Sequence, residues 1–524
     1  MSIEQFSQEI QNQYKFSGNS INLGFAIFNK EIQKNLAVNI PLSTINRHGL
    51  IAGATGTGKT KTIQRFAEAL SEKGVNVLLM DIKGDVSGIA KPGAFNPKLQ
   101  ERLSQMGASW TPTQYPTELL SISNEKGVRL RATVSEFGPI LFSKILELNE
   151  NQEGAVTIVF KYCDDNKLPL LDIKDFRAAL QHLAEGEGKK EIEKNYGSIS
   201  SATSGVIMRK LLEVEMQGGD KFFGEKSFEV EDLLQKSSDG KAFINILRLI
   251  DIQDKPKLFS SFMLCLLAEI YNKFPEQGDK GEPRLVIFID EAHLIFKEAS
   301  KTLLQQLETI IKLIRSKGVG IFFCTQSPAD IPDSILGQLG AKFQHALRAF
   351  TAKDRKDIKL VSENFPITAF YQTDQIITEL GIGEAFITVL SEKGNPTALV
   401  HTIISPPQSR MDILSESEQE EIVANSEIAK VYNEFIDRQS AYEILSGKIN
   451  SEETEPEEDN KEEIKNKGKE VDEESGFGKS LKAVANSSVT KTIVKELTRG
   501  LFGVLFGTSS RKGSSRRKKS QGFF

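Results

Sequence analysis

Short apolar runs recur through the first 405 residues and predict strands that are buried on both faces of a sheet. They read HGLIAG (48–53), VNVLLMD (75–81), AFINILRLI (242–250), RLVIFID (284–290), GVGIFFCTQ (318–326) and KFQHALRAF (342–350). A final pair, GEAFITVL (383–390) and PTALVHTII (396–404), predicts a hairpin at the edge of the sheet. Two further strand-like pieces, INLGFAIF and LAVNIPL, lie within residues 1–46, which we interpret as a short N-terminal β region.

Helical patterns separate these runs, as in KTKTIQRFAEALSEKG (59–74) and ASKTLLQQLETIIKLIRSKG (299–318). Alternation of strands and helices predicts an α/β fold with a doubly wound, mostly parallel sheet, here over residues 47–405. Residues 137–217 interrupt the alternation with helical periodicity, so we expect a helical insertion there. A helical extension is predicted over 406–450.

Charge is unevenly distributed towards the C-terminus. Residues 451–475 hold twelve acidic residues and four lysines, whereas the whole chain carries a net charge of only −5. Such a segment cannot bury apolar surface, so we predict a disordered acidic linker over 451–485. An apolar stripe then predicts an amphipathic helix within 486–524, with a basic tail at 511–519. This helix would dock on an assembly of this chain or on a protein partner, or it would lie at a membrane surface.

The segment GATGTGKT matches the phosphate-binding pattern G-x-x-x-x-G-K-[ST] in full. It comprises Gly53, Ala54, Thr55, Gly56, Thr57, Gly58, Lys59 and Thr60, and Lys61 follows it. A predicted strand precedes the segment and a predicted helix follows it, which is the context the motif requires. We expect backbone N–H groups to face the phosphates, Lys59 to reach the β- and γ-phosphates, and Thr60 to bind Mg²⁺.

A second strand, RLVIFID, closes on the carboxylate pair Asp290 and Glu291. A hydrophobic strand that ends in acids is the Walker B pattern, in which Asp290 would hold the Mg²⁺ shell and Glu291 would activate the attacking water. The alternative is that both are ordinary acids that cap the next helix. His293 would contact the nucleotide or DNA, or would be a structural histidine.

Three further polar residues are candidates for the hydrolysis step. Gln326 ends the strand GVGIFFCTQ and would sense the γ-phosphate, unless it is an ordinary strand-end glutamine. Arg315 ends the helix after the acid pair, where it would face a neighbouring subunit and serve as an arginine finger. Arg348 is the rival for that role, and either arginine could instead be a surface or ion-paired residue.

These motifs together resemble the HerA–FtsK superfamily of ATP-driven DNA pumps, and most closely bacterial HerA-like ATPases. The resemblance rests on NRHGLIAGATGTGKT (46–60), MDIKGDVSGIA (80–90), FIDEAHLIF (288–296), RSKGVGIFFCTQSPADIPDSILGQLG (315–340) and HALRAFTAKDRK (345–356). It implies a RecA-like core, a homo-hexameric ring, ATP and Mg²⁺ at subunit interfaces, and DNA as a partner. It also implies that Arg315 acts in trans and that Asp81 lies near the nucleotide. The letters D-E-A-H do not by themselves indicate a DEAH-box helicase, which would need a second RecA-like domain.

Composition narrows the cellular setting but leaves the cargo open. Three isolated cysteines and a polar N-terminus predict a cytoplasmic protein without a disulfide framework. The motor could translocate DNA, or it could be a ring ATPase that remodels protein partners or a nucleotide-gated scaffold at a membrane surface. Stimulation of ATP turnover by DNA separates the first hypothesis from the other two.

Overall fold

The architecture comes from a computed structural model that describes residues 2–278, 281–297, 301–434, 436 and 438–452. The predicted acidic linker, the amphipathic helix and the basic tail lie outside the described residues. Within the described part of the chain, no helix is both long enough and apolar enough to cross a membrane.

Twelve strands of the described chain form one sheet. They are β1 (Ser20–Phe28), β2 (Glu31–Pro41), β3 (Gly49–Ala52), β4 (Asn76–Asp81), β5 (Thr117–Ser121), β6 (Val128–Arg129), β7 (Ile244–Arg248), β8 (Leu285–Ile289), β9 (Val319–Thr325), β10 (Ala341–Gln344), β11 (Glu384–Thr388) and β12 (Val400–Ile404). Their order across the sheet is β2-β1-β12-β11-β10-β3-β9-β8-β4-β7-β5-β6.

The sheet is mostly parallel, as the alternation of strands and helices predicts. From β10 to β6 every neighbouring pair of strands is parallel. From β10 to β2 every neighbouring pair is antiparallel. Every residue of β4, β7, β8 and β9 is buried, which requires cover on both faces of this central part.

Helices precede, connect and follow the strands. They are α1 (Ile3–Tyr14), α2 (Lys59–Glu72), α3 (Pro97–Met106), α4 (Val134–Ile145), α5 (Glu150–Asp165), α6 (Ile173–Ala184), α7 (Gly188–Asn195), α8 (Ser201–Met216), α9 (Gly219–Phe222), α10 (Pro256–Lys273), α11 (His293–Lys297), α12 (Lys301–Ile314), α13 (Asp333–Leu336), α14 (Ala352–Glu363), α15 (Thr373–Glu379), α16 (Glu416–Asn425), α17 (Glu427–Tyr432) and α18 (Ala441–Glu452). Helices α4 to α9 form the helical insertion between β6 and β7.

The helix that follows the phosphate-binding segment is anchored by one aromatic side chain. Phe66 of α2 is fully buried, and its ring contacts Phe288 of β8, Phe322 of β9 and Phe343 of β10 at centroid distances of 5.3, 5.0 and 5.6 Å. Burial of large aromatic side chains contributes strongly to core stability. This contact therefore packs the middle of α2 against the strands that carry the candidate site.

The structure corrects several sequence-based expectations. The hairpin β11–β12 is not at the sheet edge, because β12 pairs with β1 and β2 lies beyond it. The N-terminal region begins with α1, which a capping box at Ser2 initiates, and its strands belong to the common sheet. The run 342–350 forms a strand only as far as Gln344, because the chain then turns to contact the phosphate-binding segment. Strands β5 and β6 were not predicted.

Candidate nucleotide-binding and hydrolysis site

The strand order brings the predicted site residues to one edge of the sheet. Strand β9 lies between β3, which leads into the phosphate-binding segment, and β8, which leads into Asp290; β4 and Asp81 come next. All four strands are parallel, so their carboxyl ends meet at the same edge. In open α/β sheets, ligands bind at this edge.

The phosphate-binding segment adopts a tight loop that depends on its glycines. Gly53, Gly56 and Gly58 have φ angles of 155°, 78° and 106°. A Cβ at Gly58 would lie 2.9 Å from the backbone nitrogen of Gly383, so a larger residue would push the two loops apart. The Gly383 amide donates a hydrogen bond to the Thr57 carbonyl at 2.9 Å, which fixes the loop from outside.

Lys59 lies at the first position of α2 and is turned back onto its own loop. Its Nζ donates hydrogen bonds to the carbonyl oxygens of Gly53 (2.6 Å) and Ala54 (3.1 Å). Burial, together with the nearby Lys83 ammonium, lowers the pKa of Lys59. Thr55 and Gly56 at the tip of the loop are exposed. Lys59 is thus a poorly solvated cation beside an accessible backbone loop, an arrangement that favours an anionic ligand.

Thr60 and Lys61 follow on the first turn of the helix and make different contacts. The Thr60 hydroxyl donates to Oδ2 of Asp85 at 3.2 Å. Lys61 donates to the carbonyl of Met411 at 2.6 Å, and burial lowers its pKa. Lys61 therefore secures the segment that follows β12 to the start of α2, whereas Thr60 faces the acidic side of the site.

Asp81 organises the loop after β4. Its carboxylate accepts the backbone N–H groups of Gly84 (2.7 Å), Asp85 (3.3 Å) and Val86 (3.4 Å). Burial, and to a smaller extent repulsion from Asp85, raises the pKa of Asp81 to about 6. In this arrangement Asp81 holds the loop, and it is Asp85 that contacts Thr60.

Asp290 and Glu291 lie directly beyond β8 and are both buried. Burial raises the pKa of Asp290 to about 7, while the Lys83 charge opposes that rise. Glu291 pairs with the Lys83 ammonium, and Nδ1 of His293 lies 3.1 Å from the other carboxylate oxygen of Glu291. The Lys83 charge therefore acts on both acids, but the direct ion pair is with Glu291.

Gln326 is exposed at the end of β9, between the phosphate-binding segment and the acid pair. Asp330 ties the loop after it together: the Thr325 hydroxyl donates to Oδ2 of Asp330 at 2.7 Å, and the Ser327 amide donates to the same oxygen at 3.1 Å. The backbone position of Gln326 is thus fixed by the loop, while its side chain faces the open edge.

The two candidate arginines lie at opposite edges of the sheet. Arg315 precedes β9, at the amino ends of the parallel strands and away from its own phosphate-binding segment. Burial and the Arg315 charge contribute to lowering the pKa of His48, the residue before β3, to about 4. Arg348 is exposed at the carboxyl edge, two residues beyond Ala346, whose carbonyl accepts the Ala54 amide at 2.8 Å. The structure therefore does not bring Arg315 to the site of its own chain.

The site fits a magnesium–nucleotide complex by its donor set. The described residues hold no cluster of three or more His, Cys, Asp or Glu side chains that would cage a metal. Mg²⁺ does not need such a cage, because one or two carboxylates and the phosphate oxygens usually bind it. Asp85 Oδ1 is buried without a hydrogen-bond partner among the described residues, next to Thr60. This acceptor and the Thr60 hydroxyl suit a hydrated cation.

Sequence reasoning missed Lys83 and Asp85. The signal was present in MDIKGD, where two more charged residues follow a buried strand within four positions of Asp81. Their partners, Glu291 and Thr60, come from other parts of the chain and depend on the sheet order.

The comparison with protein families covers almost the whole chain. The model of the family described as "Helicase HerA-like C-terminal" matches residues 27–512.

Two curated relatives are 24% and 25% identical to this chain over the residues that align. The DNA double-strand break repair helicase HerA of Saccharolobus solfataricus is 24% identical over 360 residues, which are 68% of this chain and 64% of that protein. The DNA import protein CedB of Sulfolobus acidocaldarius is 25% identical over 396 residues, 74% of this chain and 57% of that protein. The chain thus spans less than two thirds of the length of these relatives.

Among solved structures, the unbound bacterial conjugative coupling protein TrwBdeltaN70 is similar with a TM-score of 0.50 and 13% identity. The match covers 78% of this chain and 94% of that one, and it indicates a shared fold.

Proposed function

The chain belongs to the HerA-like C-terminal helicase family, and from its site geometry we propose that it is an ATP-hydrolysing motor that acts on DNA. The observation that carries the proposal is the meeting of the 53–60 loop, Asp290 and Glu291 at one edge of a parallel sheet. A phosphate loop without an acid pair would support nucleotide binding alone. The added pair, buried and beside the loop, supports hydrolysis.

In the proposed site, each residue of the chain has a distinct task. The loop N–H groups and Lys59 bind the phosphates, and Thr60 and Asp290 hold Mg²⁺, which would screen charge on the phosphates when bound. Asp85 joins Thr60 on the metal side. Glu291 orients the attacking water and accepts its proton.

We further propose that the motor works as a ring, with a homo-hexamer as the expected form. Arg315 lies at the edge opposite to its own loop, so it would serve only the site of a neighbouring subunit. An arginine supplied in trans stabilises the charge of the transition state and contributes roughly 10³–10⁵ in rate where it operates. Gln326, between the loop and the acids, would report the state of the γ-phosphate to the next loop.

DNA is proposed as the cargo because the names of both curated relatives, HerA and CedB, specify DNA. The net charge of −5 argues against a nucleic-acid coat, so contact would be confined to a limited surface of the assembly. We propose a cytoplasmic location on the basis of the three unpaired cysteines.

Binding of a fluorescent ATP analogue tests the nucleotide site. Lys59→Ala should weaken binding roughly tenfold or more, since a hydrogen bond to a charged group contributes about 1.5–3 kcal/mol. Lys73→Ala, at an exposed position just beyond α2, is the matched control and should bind like the wild type. Equal affinity of Lys59→Ala and the wild type would refute the proposed site.

A further inference from the structure

The carboxylate proposed to activate water is already paired in this arrangement. Lys83 forms an ion pair with Glu291, whose side chain is 7% exposed. His293 Nδ1 faces the second oxygen of Glu291 at 3.1 Å. Carboxylate oxygens that are held by a lysine and a histidine are less available to bind and orient a water molecule. Glu291 is thus restrained until Lys83 leaves.

Lys83 also lies within electrostatic range of a second cation, Lys59. Its charge lies close enough to the Lys59 ammonium to contribute to lowering the pKa of Lys59, after the larger effect of burial. Asp290, Glu291 and Asp85 lie within electrostatic range of Lys83 as well. Two ammonium groups that share one partly buried space repel each other, and an additional anion between them relieves that repulsion. The γ-phosphate of a bound triphosphate carries the negative charge that would relieve this repulsion.

The backbone that carries Lys83 is fixed, so only its side chain can respond. Asp81 accepts the N–H groups of the three residues after Lys83. On the other side, Gln253 donates to the carbonyl of Ile82 at 3.0 Å. The Lys83 side chain is 36% exposed, which leaves its flexible four-carbon stem room to move.

The backbone of Glu291 is also held in place by its surroundings. Its backbone φ of 45° lies in the left-handed region, and neighbouring hydrogen bonds hold it there, including that from the Ala292 amide to the Cys324 carbonyl at 2.9 Å. Such a conformation costs on the order of 1–3 kcal/mol and persists only where the surroundings enforce it. The carboxylate position is therefore specified by the fold.

We propose that Lys83 is a positioning residue that senses the γ-phosphate: it holds Glu291 while no triphosphate is bound and moves onto the γ-phosphate when one binds, which releases Glu291 to the water. This inference rests on the proposed function of the site. It predicts that Lys83 distinguishes nucleoside triphosphate from diphosphate, which a purely structural lysine would not do.

The ratio of affinities for ATPγS and ADP, measured with Mg²⁺ on the full chain, tests the assignment. Lys83→Met should reduce the preference for ATPγS roughly tenfold, the loss of one hydrogen bond to a charged group, and leave ADP affinity nearly unchanged. Lys83→Arg should restore most of the preference, because it keeps the charge. Lys73→Met, at an exposed position without a role in the site, is the control.

A second comparison isolates the competition for Lys83. Glu291→Gln should tighten ATPγS binding by freeing Lys83, and this gain should shrink when Lys83→Met is combined with it. An unchanged ATPγS-to-ADP ratio in folded Lys83→Met, or equal loss of both affinities, would overturn the inference while leaving the proposed function intact. Wild-type protein that binds neither nucleotide would overturn both.

Discussion

For Glu291, the sequence predicted the position of the residue but not the contacts that its side chain makes. The D-E pair at the end of an apolar strand was sufficient to predict its place directly beyond β8, while its role in hydrolysis stays a prediction. Its left-handed backbone and its pairing with Lys83 were not predictable, because both depend on which strands lie beside β8. The hydrogen bond from Thr60 to Asp85 was not predictable for the same reason. Asp81, the acid that the sequence singled out, instead accepts hydrogen bonds from the loop that carries Asp85.

Glu291→Gln should bind ATP and fail to turn it over. Removal of a general base costs roughly 10²–10⁴ in rate, and the amide keeps the size of the side chain. Single-turnover hydrolysis measured alongside nucleotide affinity separates the two effects. Glu363→Gln, an exposed glutamate on α14, is the control and should hydrolyse ATP like the wild type. Wild-type turnover by Glu291→Gln would remove it from the role of base.

At the scale of elements, the central strands were predictable and the edges of the sheet were not. Fully buried apolar runs identify β4, β8 and β9 because both faces must be covered. Strand β6 has only two residues, and β5 (TELLS) contains few apolar residues, so neither stands out in the sequence. The pairing of β12 with β1 joins residues nearly 400 positions apart, which local periodicity does not encode. The helical insertion was predictable because its helices are periodic and capped.

A half-buried carboxyl, that of Glu269, makes stability depend on pH. Burial, and to a smaller extent repulsion from Glu136 of α4, raises the pKa of Glu269 on α10 to about 8. The charges of Glu229 and Glu231 raise this pKa further, and the charge of Lys273 lowers it. The ordinary pKa of a glutamate is 4.5. Between these values the unfolded chain binds fewer protons than the folded one, so this group makes the protein less stable as the pH rises towards 8.

Glu269→Gln should therefore raise the melting temperature at pH 8.5 and change it little at pH 5. The pKa shift of Glu269 corresponds to a change in the free energy of unfolding on the order of a few kcal/mol, since one pKa unit is about 1.4 kcal/mol. Thermal melting across this pH range measures it, with Glu363→Gln as the exposed control. A melting-temperature change that does not vary with pH would show that Glu269 is not protonated in the folded protein.

At the scale of the whole molecule, the position of Arg315 is the basis for the proposal that neighbouring subunits act together. It lies at the amino edge of the parallel strands, whereas the loop that binds phosphate lies at the carboxyl edge. Arg348 lies on the carboxyl side, the same side as the phosphate-binding loop of its own chain. The sequence predicted that Arg315 would face away from its own nucleotide, and its position just before β9 lies at the amino ends of the parallel strands.

Subunit mixing tests the assignment of Arg315. Arg315→Ala should lower ATP turnover by roughly 10³ or more if the residue acts as an arginine finger. Mixed rings of Arg315→Ala and Lys59→Ala subunits should regain activity, because intact loops then meet intact arginines. If Arg348 acts on the nucleotide of its own subunit, rings that mix Arg348→Ala with Lys59→Ala subunits should not regain activity, because no subunit in them has a complete site. Verified mixed rings of the first kind that stay inactive would contradict action in trans.

The central claim is that this ATPase is coupled to DNA, and steady-state ATP turnover with and without DNA tests it most directly. Wild-type protein at low salt should hydrolyse ATP faster when double-stranded or single-stranded DNA is added. Added salt should reduce the stimulation, as expected for phosphate contacts. Lys59→Ala gives the background rate. Turnover that is unchanged by either kind of DNA at low salt, over a range of lengths, would contradict the claim and favour a protein partner.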